Sequence, residues 1–125
     1  MKRKILVVDD SGLARRLTRK MLEEFGHEVE EASDGPQALE RYALGHHNAV
    51  VLDMLMSGMY GLEVLEKLKE LNPSLPVVVV TADIQRSTRE LVKNAGASAM
   101  INKPINEEEL AEVLDLVWKG ETAWN

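Results

Sequence analysis

The sequence predicts an α/β protein in which a parallel sheet is covered by helices on both sides. Two observations lead to this class. Strand-like segments alternate five times with segments of helical periodicity along the 125 residues. In addition, residues 49–52 and 77–80 are uninterrupted apolar runs, which is typical of strands that are buried on both faces in a parallel sheet.

The first strand and the first helix occupy the N-terminal part of the chain. Residues 5–8 are apolar, and Asp9 and Asp10 follow them directly. We expect Ser11 or Asp10 to cap the next helix and Gly26 to be its C′ residue. The apolar residues at helical spacing are Leu13, Leu17, Met21, Leu22 and Phe25.

The second strand, residues 27–32, is more polar than the first because it contains three glutamates. We therefore place it at an edge of the sheet. Asp34, Gly35 and Pro36 begin the second helix, with Pro36 near its first position, and Gly45 ends it. Its apolar stripe comprises Ala38, Leu39, Tyr42 and Ala43.

The third strand, residues 49–53, ends in a carboxylate. An ionised Asp53 is too costly inside a buried strand, but it can lie at the end, where the sheet stops. Ser57, Gly58 and Gly61 make the following loop rich in turn residues. The third helix carries Leu62, Leu65, Leu68 and Leu71, and it stops before Pro73.

The fourth strand begins after Pro76, continues through four valines and ends at Thr81. Pro76 can precede a strand without removing a bond of the sheet, and the valines favour a central position. The fourth helix, about residues 84–95, has a thin apolar stripe and is expected to be the least firmly packed. Gly96 follows it.

The fifth strand and the last helix complete the pattern. Residues 97–102 form a short strand that leads to Lys103 and Pro104. Asn106 is expected to cap the last helix, with Glu109 at the capping-box position. The inner face of this helix comprises Leu110, Val113, Leu114, Val117 and Trp118.

Composition limits the function classes. We expect residues 1–125 to form a single domain. A net charge of −6 argues against a nucleic-acid surface, and the chain has no run long enough for a membrane span. It contains no cysteine, which excludes disulfides and thiolate metal sites and is compatible with a cytoplasmic location.

Polar residues stand at the ends of several predicted strands: Asp9 and Asp10, Asp53, Thr81, and Lys103. In open α/β sheets, ligand sites lie at those ends. Two carboxylates about 4 Å apart repel by roughly 4 kcal/mol at an effective dielectric constant of 20, and one lysine cannot neutralise three aspartates. Either a carboxylate is protonated or a cation lies there, and this all-oxygen set suits Mg²⁺. A phosphoryl group could then approach, with Asp53 as the nucleophile and Lys103 and Thr81 holding its oxygens.

Each residue also has a simpler explanation when it is taken alone. Asp10 fits a helix N-cap, Asp53 a turn residue, Thr81 a loop hydroxyl and Lys103 a solvated charge. Their joint position at one edge of the sheet favours the shared site.

Two other groups of residues have an ordinary explanation. His46 and His47 follow a glycine at a helix end, which favours a solvated loop over a metal or phosphorelay pair. Met54, Met56 and Met59 fit packing in the core or the loop.

With these residues in this order, the chain resembles the receiver domain of two-component response regulators over nearly its full length. The motifs that carry the resemblance are Asp9-Asp10, Asp53 with the loop through Gly61, Thr81-Ala82 and Lys103-Pro104. The resemblance implies a flavodoxin-like, doubly wound (βα)₅ fold with strand order 2-1-3-4-5, an order that is known for this class of fold.

The resemblance also implies site roles. Asp53 is the phosphoacceptor, which takes the phosphoryl group of a histidine kinase or phosphotransfer protein. Asp10, Asp53 and the main-chain carbonyl of Leu55 bind Mg²⁺, and Asp9 assists through water. Thr81 and Lys103 contact the phosphoryl group, and the Lys103–Pro104 peptide is usually cis.

Further implications of the resemblance concern partners. Phosphorylation usually remodels the face formed by the fourth helix, the fifth strand and the fifth helix. The chain is expected to be a monomer or a weak dimer through that face, with a downstream protein target. It is a switch that catalyses its own phosphorylation and dephosphorylation rather than an enzyme in the ordinary sense.

The sequence departs from the family pattern at a few positions. Ser57 stands where proline is common, and Tyr60 where a small polar residue is usual. Met100 replaces the aromatic residue that often moves with the threonine, so activation is predicted not to depend on an aromatic rotamer. Leu55 and Asp83 occupy positions that tune how water reaches the acyl phosphate: Leu55 is expected to shield it, and Asp83 to orient water or repel the phosphoryl group.

Three other functions fit the sequence less well. A receiver-fold module could bind proteins without phosphorylation, although the complete acidic set and Lys103 argue against it. A flavodoxin-like cofactor binder would need a phosphate loop after the first strand, where Asp9 and Asp10 would repel phosphate. A phosphatase with an aspartate nucleophile would need a second acid at the position of Leu55.

Overall fold

The structure is a computed structural model that describes residues 2–54, 61–83 and 85–124. In this part of the chain, five strands alternate with five helices. In chain order they are β1 (Lys4–Val8), α1 (Gly12–Glu24), β2 (Glu28–Ala32), α2 (Gly35–Gly45), β3 (Ala49–Asp53), α3 (Gly61–Leu71), β4 (Val77–Thr81), α4 (Arg86–Asn94), β5 (Ala99–Asn102) and α5 (Glu107–Trp118).

The described strands form one parallel sheet in the order β2-β1-β3-β4-β5. This order confirms the doubly wound α/β class and the placement of the polar second strand at an edge. Every residue of β3 and β4 is buried, because both strands have neighbours on each side and helices on each face. The continuous apolar runs in the sequence therefore correspond to inner strands.

Apolar side chains fill both faces of the sheet. In β1, Leu6 and Val8 pack on one face, with helices α2, α3 and α4, whereas Ile5 and Val7 pack on the other, with α1 and α5. Successive side chains of a strand point to opposite faces, so a four-residue run supplies both layers. The five helices thus divide between two faces, which leaves the ends of the strands open.

Side chains cap three of the described helices, including the predicted cap at Asn106 and one of the two candidates, Ser11, for the first helix. Ser11, Asp34 and Asn106 precede α1, α2 and α5, and each side-chain oxygen accepts a hydrogen bond from the N–H three residues later. These bonds satisfy amides that have no partner within the helix. The caps also locate α1 directly after Asp9 and Asp10, which lie in the intervening turn.

The helical spacing of apolar residues in α1 did not identify its buried face. Leu13 and Leu17 are 65% and 53% exposed, because α1 buries Thr18 and Leu22 instead. Gly45 is the last residue of α2, as predicted, and the residue that follows it, His46, is left-handed with φ of 47°. Apolar spacing alone did not show which face of α1 meets the sheet.

Helix α4 is shorter than predicted, and Val92 is its buried residue within the part that is described. The segment after α5 folds back towards this side of the molecule. The Ala123 N–H donates to the Ser98 carbonyl at 2.9 Å, and Trp124 Nε1 donates to the Ala97 carbonyl at 2.8 Å. The guanidinium of Arg89 lies 4.9 Å above the Trp124 ring, so the tail contacts α4.

None of the described helices has the length and apolar character needed to cross a membrane.

Candidate functional site

The carboxyl ends of four neighbouring strands bring the polar residues together. Asp9 follows β1, Asp53 and Thr81 are the last residues of β3 and β4, and Lys103 follows β5. The Lys103 N–H donates to the Thr81 carbonyl at 2.9 Å, which continues the pairing of β4 and β5. Because the strands are parallel and adjacent, residues far apart in sequence meet at one edge.

Three carboxylates form the centre of this site. Asp9, Asp10 and Asp53 each offer one oxygen, and these oxygens lie within 4.8 Å of one another. Asp9 and Asp53 are only 5% and 6% exposed, and Asp10 is exposed. At this separation, two charged carboxylates repel by about 3 kcal/mol at an effective dielectric constant near 20. The cluster therefore favours binding of a cation.

Lys103 supplies one positive charge to the cluster. Its Nζ lies 3.2 Å from Asp9 Oδ2 and 3.5 Å from Asp53 Oδ1. Burial opposes the charge of this ammonium, but the combined attraction of Asp53 and Asp9 raises the pKa of Lys103 above its usual value. The peptide bond between Lys103 and Pro104 is cis.

The donor set fits a small divalent cation. All the candidate ligand atoms are carboxylate oxygens, which Mg²⁺ prefers, and the open side at Asp10 leaves room for water or phosphate oxygens. Asp9 is already engaged, since Oδ1 accepts from the Ser11 N–H at 2.9 Å and Oδ2 from Lys103. Asp53 also contacts Lys103, so this lysine bridges two of the three carboxylates.

Thr81 is fully buried, and its Oγ1 accepts a hydrogen bond from the Asp83 N–H at 3.0 Å. The Asp83 carboxylate is engaged with the start of α4, where it accepts from the Gln85 N–H at 2.9 Å and from Thr88 Oγ1 at 2.5 Å. The bond from Thr88, followed by that from Gln85, lowers the pKa of Asp83. A chain of hydrogen bonds therefore links the site to α4.

Met100, another expected site residue, is not part of the cluster. Met100 is half-buried in β5, opposite Val79, and packs against the apolar layer beneath α3 and α4. The expectations for Leu55, Ser57 and Tyr60 fall outside the described residues.

Sequence reasoning missed two residues that shape the site. Arg15 donates to the Asp9 carbonyl at 2.7 Å. Gly61 lies so close to the backbone of Asp53 and Met54 that a Cβ would overlap it. The only sequence signal for Arg15 was its position one helical turn after Ser11. Gly61 looked like an ordinary turn residue.

The prediction of a solvated His47 was also wrong. His47 is 3% exposed, and its Nε2 lies 2.7 Å from Glu30 Oε1. Burial lowers the pKa of His47, and Glu30 opposes that change. The glycine before this histidine pair indicates a helix end, but it does not show which way the following side chains turn.

Comparison with known proteins adds a family likeness. The profile described as "Response regulator receiver domain" matches residues 5–115. Response regulator MprA of Mycobacterium sp. strain KMS is 41% identical over 107 residues, which are 86% of this chain and 46% of that protein. Sensor protein EvgS of Escherichia coli K12 is 36% identical over 85% of this chain and 9% of its own length. The chain thus spans less than half the length of these relatives.

Solved structures show the same likeness. A CheY-like response regulator receiver domain protein from Methanospirillum hungatei JF-1 superposes with a TM-score of 0.89 at 30% identity, over 96% of this chain and 97% of that one. The chemotaxis protein CheY4 of Vibrio cholerae gives a TM-score of 0.88 at 28% identity, over 94% and 99%.

Proposed function

Because this chain belongs to the response regulator receiver domain family, we propose that it is a phosphorylation switch of two-component signalling. Asp53 receives the phosphoryl group from the phosphohistidine of a histidine kinase or a phosphotransfer protein. The observation that carries this proposal is the meeting of Asp9, Asp10, Asp53 and Lys103 at one edge of the sheet.

Phosphoryl transfer follows from the chemistry of these groups. A carboxylate oxygen of Asp53 attacks phosphorus, and a P–O bond forms while the P–N bond to the histidine breaks. The electron pair of the broken bond returns to the imidazole nitrogen. Lys103, which lies 3.5 Å from the Asp53 carboxylate, balances charge on the phosphoryl oxygens, and the neighbouring Thr81 hydroxyl donates to one of them.

Asp10 and Asp53 would hold Mg²⁺ together with the main-chain carbonyl of Leu55, which lies outside the described residues. When bound, Mg²⁺ would neutralise charge on the carboxylates and on the incoming phosphoryl oxygens. Asp9 would assist indirectly, and its two oxygens accept from the Ser11 N–H and from Lys103. Lys103 remains between Asp9 and Asp53 and keeps their separation fixed.

Phosphorylation changes the face formed by α4, β5 and α5, which binds a downstream protein or a second copy of the chain. Two features support this proposal. The hydrogen bonds from Thr81 through Asp83 to Thr88 connect the site with α4. In addition, Leu91 is 53% exposed on that helix. Met100 replaces the usual aromatic residue, so the path through Asp83 takes the place of an aromatic rotamer change.

Mass spectrometry of the intact protein tests the chemistry. After incubation with acetyl phosphate and Mg²⁺, the wild type is expected to gain one phosphoryl group, and Asp53→Asn is expected to gain none. Asp34→Asn is the matched control, because asparagine caps a helix as well as aspartate does and Asp34 caps α2. This control should be phosphorylated like the wild type.

Two outcomes would contradict the proposal. Phosphorylation of Asp53→Asn would place the acceptor elsewhere. A wild type that gains no phosphoryl group, either from acetyl phosphate or from phosphorylated histidine kinases, would favour the alternative of a receiver fold that binds proteins without phosphorylation.

A further inference from the structure

Arg15 joins the acidic site to the edge strand of the sheet. Its Nε donates to Glu31 Oε1 at 2.7 Å, and its Nη1 donates to the main-chain carbonyl of Asp9, also at 2.7 Å. The two acceptors belong to different parts of the sheet, since Glu31 lies in β2 and Asp9 follows β1. These two contacts hold the guanidinium in place, and the Arg15 side chain is only 18% exposed.

The Glu31 end of this link is firmly anchored. Arg19 Nη1 also binds its carboxylate, at 2.8 Å, and Arg41 donates to its main-chain carbonyl. The hydrogen bond from Arg19, opposed by burial and assisted by Arg15, lowers the pKa of Glu31. Glu31 is therefore a fixed negative charge against which Arg15 can hold a second group.

The Asp9 end determines the direction of the next side chain. The Asp9 N–H donates to the Ala32 carbonyl at 3.2 Å, and the Asp9 carbonyl accepts from Arg15, so both main-chain groups are fixed relative to β2. That carbonyl belongs to the planar peptide unit that ends at the Cα of Asp10. Rotation of this plane would move the Asp10 carboxylate relative to Asp53.

We propose that Arg15 is a positioning residue that fixes the Asp9–Asp10 peptide plane and so keeps the Asp10 carboxylate within reach of the ion that it shares with Asp53. This inference rests on the proposed function of the site. Arg15 acts through the peptide carbonyl and takes no part in phosphoryl transfer itself.

The positive charge of Arg15 and its positioning role affect cation binding in opposite directions. A positive charge beside the site repels Mg²⁺, so its removal alone would strengthen binding. Loss of positioning would weaken binding. In addition, lysine keeps the charge but cannot reproduce two fixed donors, because arginine presents its N–H groups in a rigid planar fork. The two effects can therefore be separated by substitution.

The test measures the Mg²⁺ dissociation constant of the unphosphorylated full chain by isothermal titration calorimetry. Arg15→Lys and Arg15→Met are both expected to weaken Mg²⁺ binding by about tenfold, as is typical of groups that orient metal ligands from the second layer. Arg16→Lys is the matched control. Arg16 is an exposed arginine of the same helix, and lysine keeps its charge, so Mg²⁺ binding should stay within about twofold of the wild type.

Thermal unfolding establishes whether each variant is folded. If Arg15→Met is not folded, Arg15→Lys alone provides the test. Unchanged Mg²⁺ binding in Arg15→Lys, or tighter binding in Arg15→Met, would overturn the inference while the wild type still binds the ion. A wild type that binds no Mg²⁺ would instead overturn the proposed function, and the inference with it.

Discussion

Gly61→Ala is expected to destabilise the protein and to displace the phosphoacceptor. Gly61 is the first residue of α3, and its N–H donates to the Met54 carbonyl at 3.1 Å. A Cβ at this position would lie 2.6 Å from the Cα of Met54 and 2.7 Å from the carbonyl oxygen of Asp53. Both neighbours are main-chain atoms, so no side chain can rotate away to make room.

The size of the effect follows from this overlap. Ordinary contact begins at 3.4 Å, so the end of β3 and the start of α3 must separate by about 0.8 Å. Overpacking of this kind costs about 1 to 3 kcal/mol. Alanine also reduces the entropy of the unfolded chain, which stabilises the folded state by about 0.4 to 1 kcal/mol. We expect a net loss of about 1 to 2 kcal/mol in the free energy of unfolding.

Urea denaturation measures this loss, with Gly12→Ala as the matched control. Gly12 also begins a helix, but the nearest atom to its added Cβ is the end of the flexible Arg16 side chain, at 3.3 Å. Gly12→Ala should therefore be neutral or more stable by up to about 0.5 kcal/mol. Phosphorylation by acetyl phosphate should fall in Gly61→Ala alone. Equal stability of the two variants would refute the reasoning.

Two further predictions concern residues outside the site. Burial lowers the pKa of His47 despite its contact with Glu30, so the unfolded chain takes up a proton more readily than the folded one. Stability should fall as the pH drops below about 6.5, and His47→Asn should make the fall in melting temperature shallower than in the wild type. Trp124→Phe removes the donor to the Ala97 carbonyl and should lower the unfolding free energy by about 1 kcal/mol. A urea midpoint equal to that of the wild type would contradict this value.

Much of the fold was accessible from local sequence signals. The apolar runs identified β3 and β4 as inner strands, and the three glutamates of β2 placed it at an edge. The cap at Asn106 was predicted because its bond reaches only three residues along the chain. Asp53 could be assigned to a strand end because a buried strand cannot hold an unpaired charge in its middle. Its closeness to Lys103 followed from one rule about parallel sheets.

The sequence by itself therefore determined the class of fold and the edge at which the polar residues meet, because hydrophobic period and strand-end charge are local properties. Tertiary structure alone decided that Leu13 is exposed, that His47 is buried, that Arg15 holds the Asp9 carbonyl and that Gly61 must lack a side chain. Each of these depends on the angle and distance at which one element packs against another. Those quantities come from the sum of contacts over the whole chain, and no short segment encodes them.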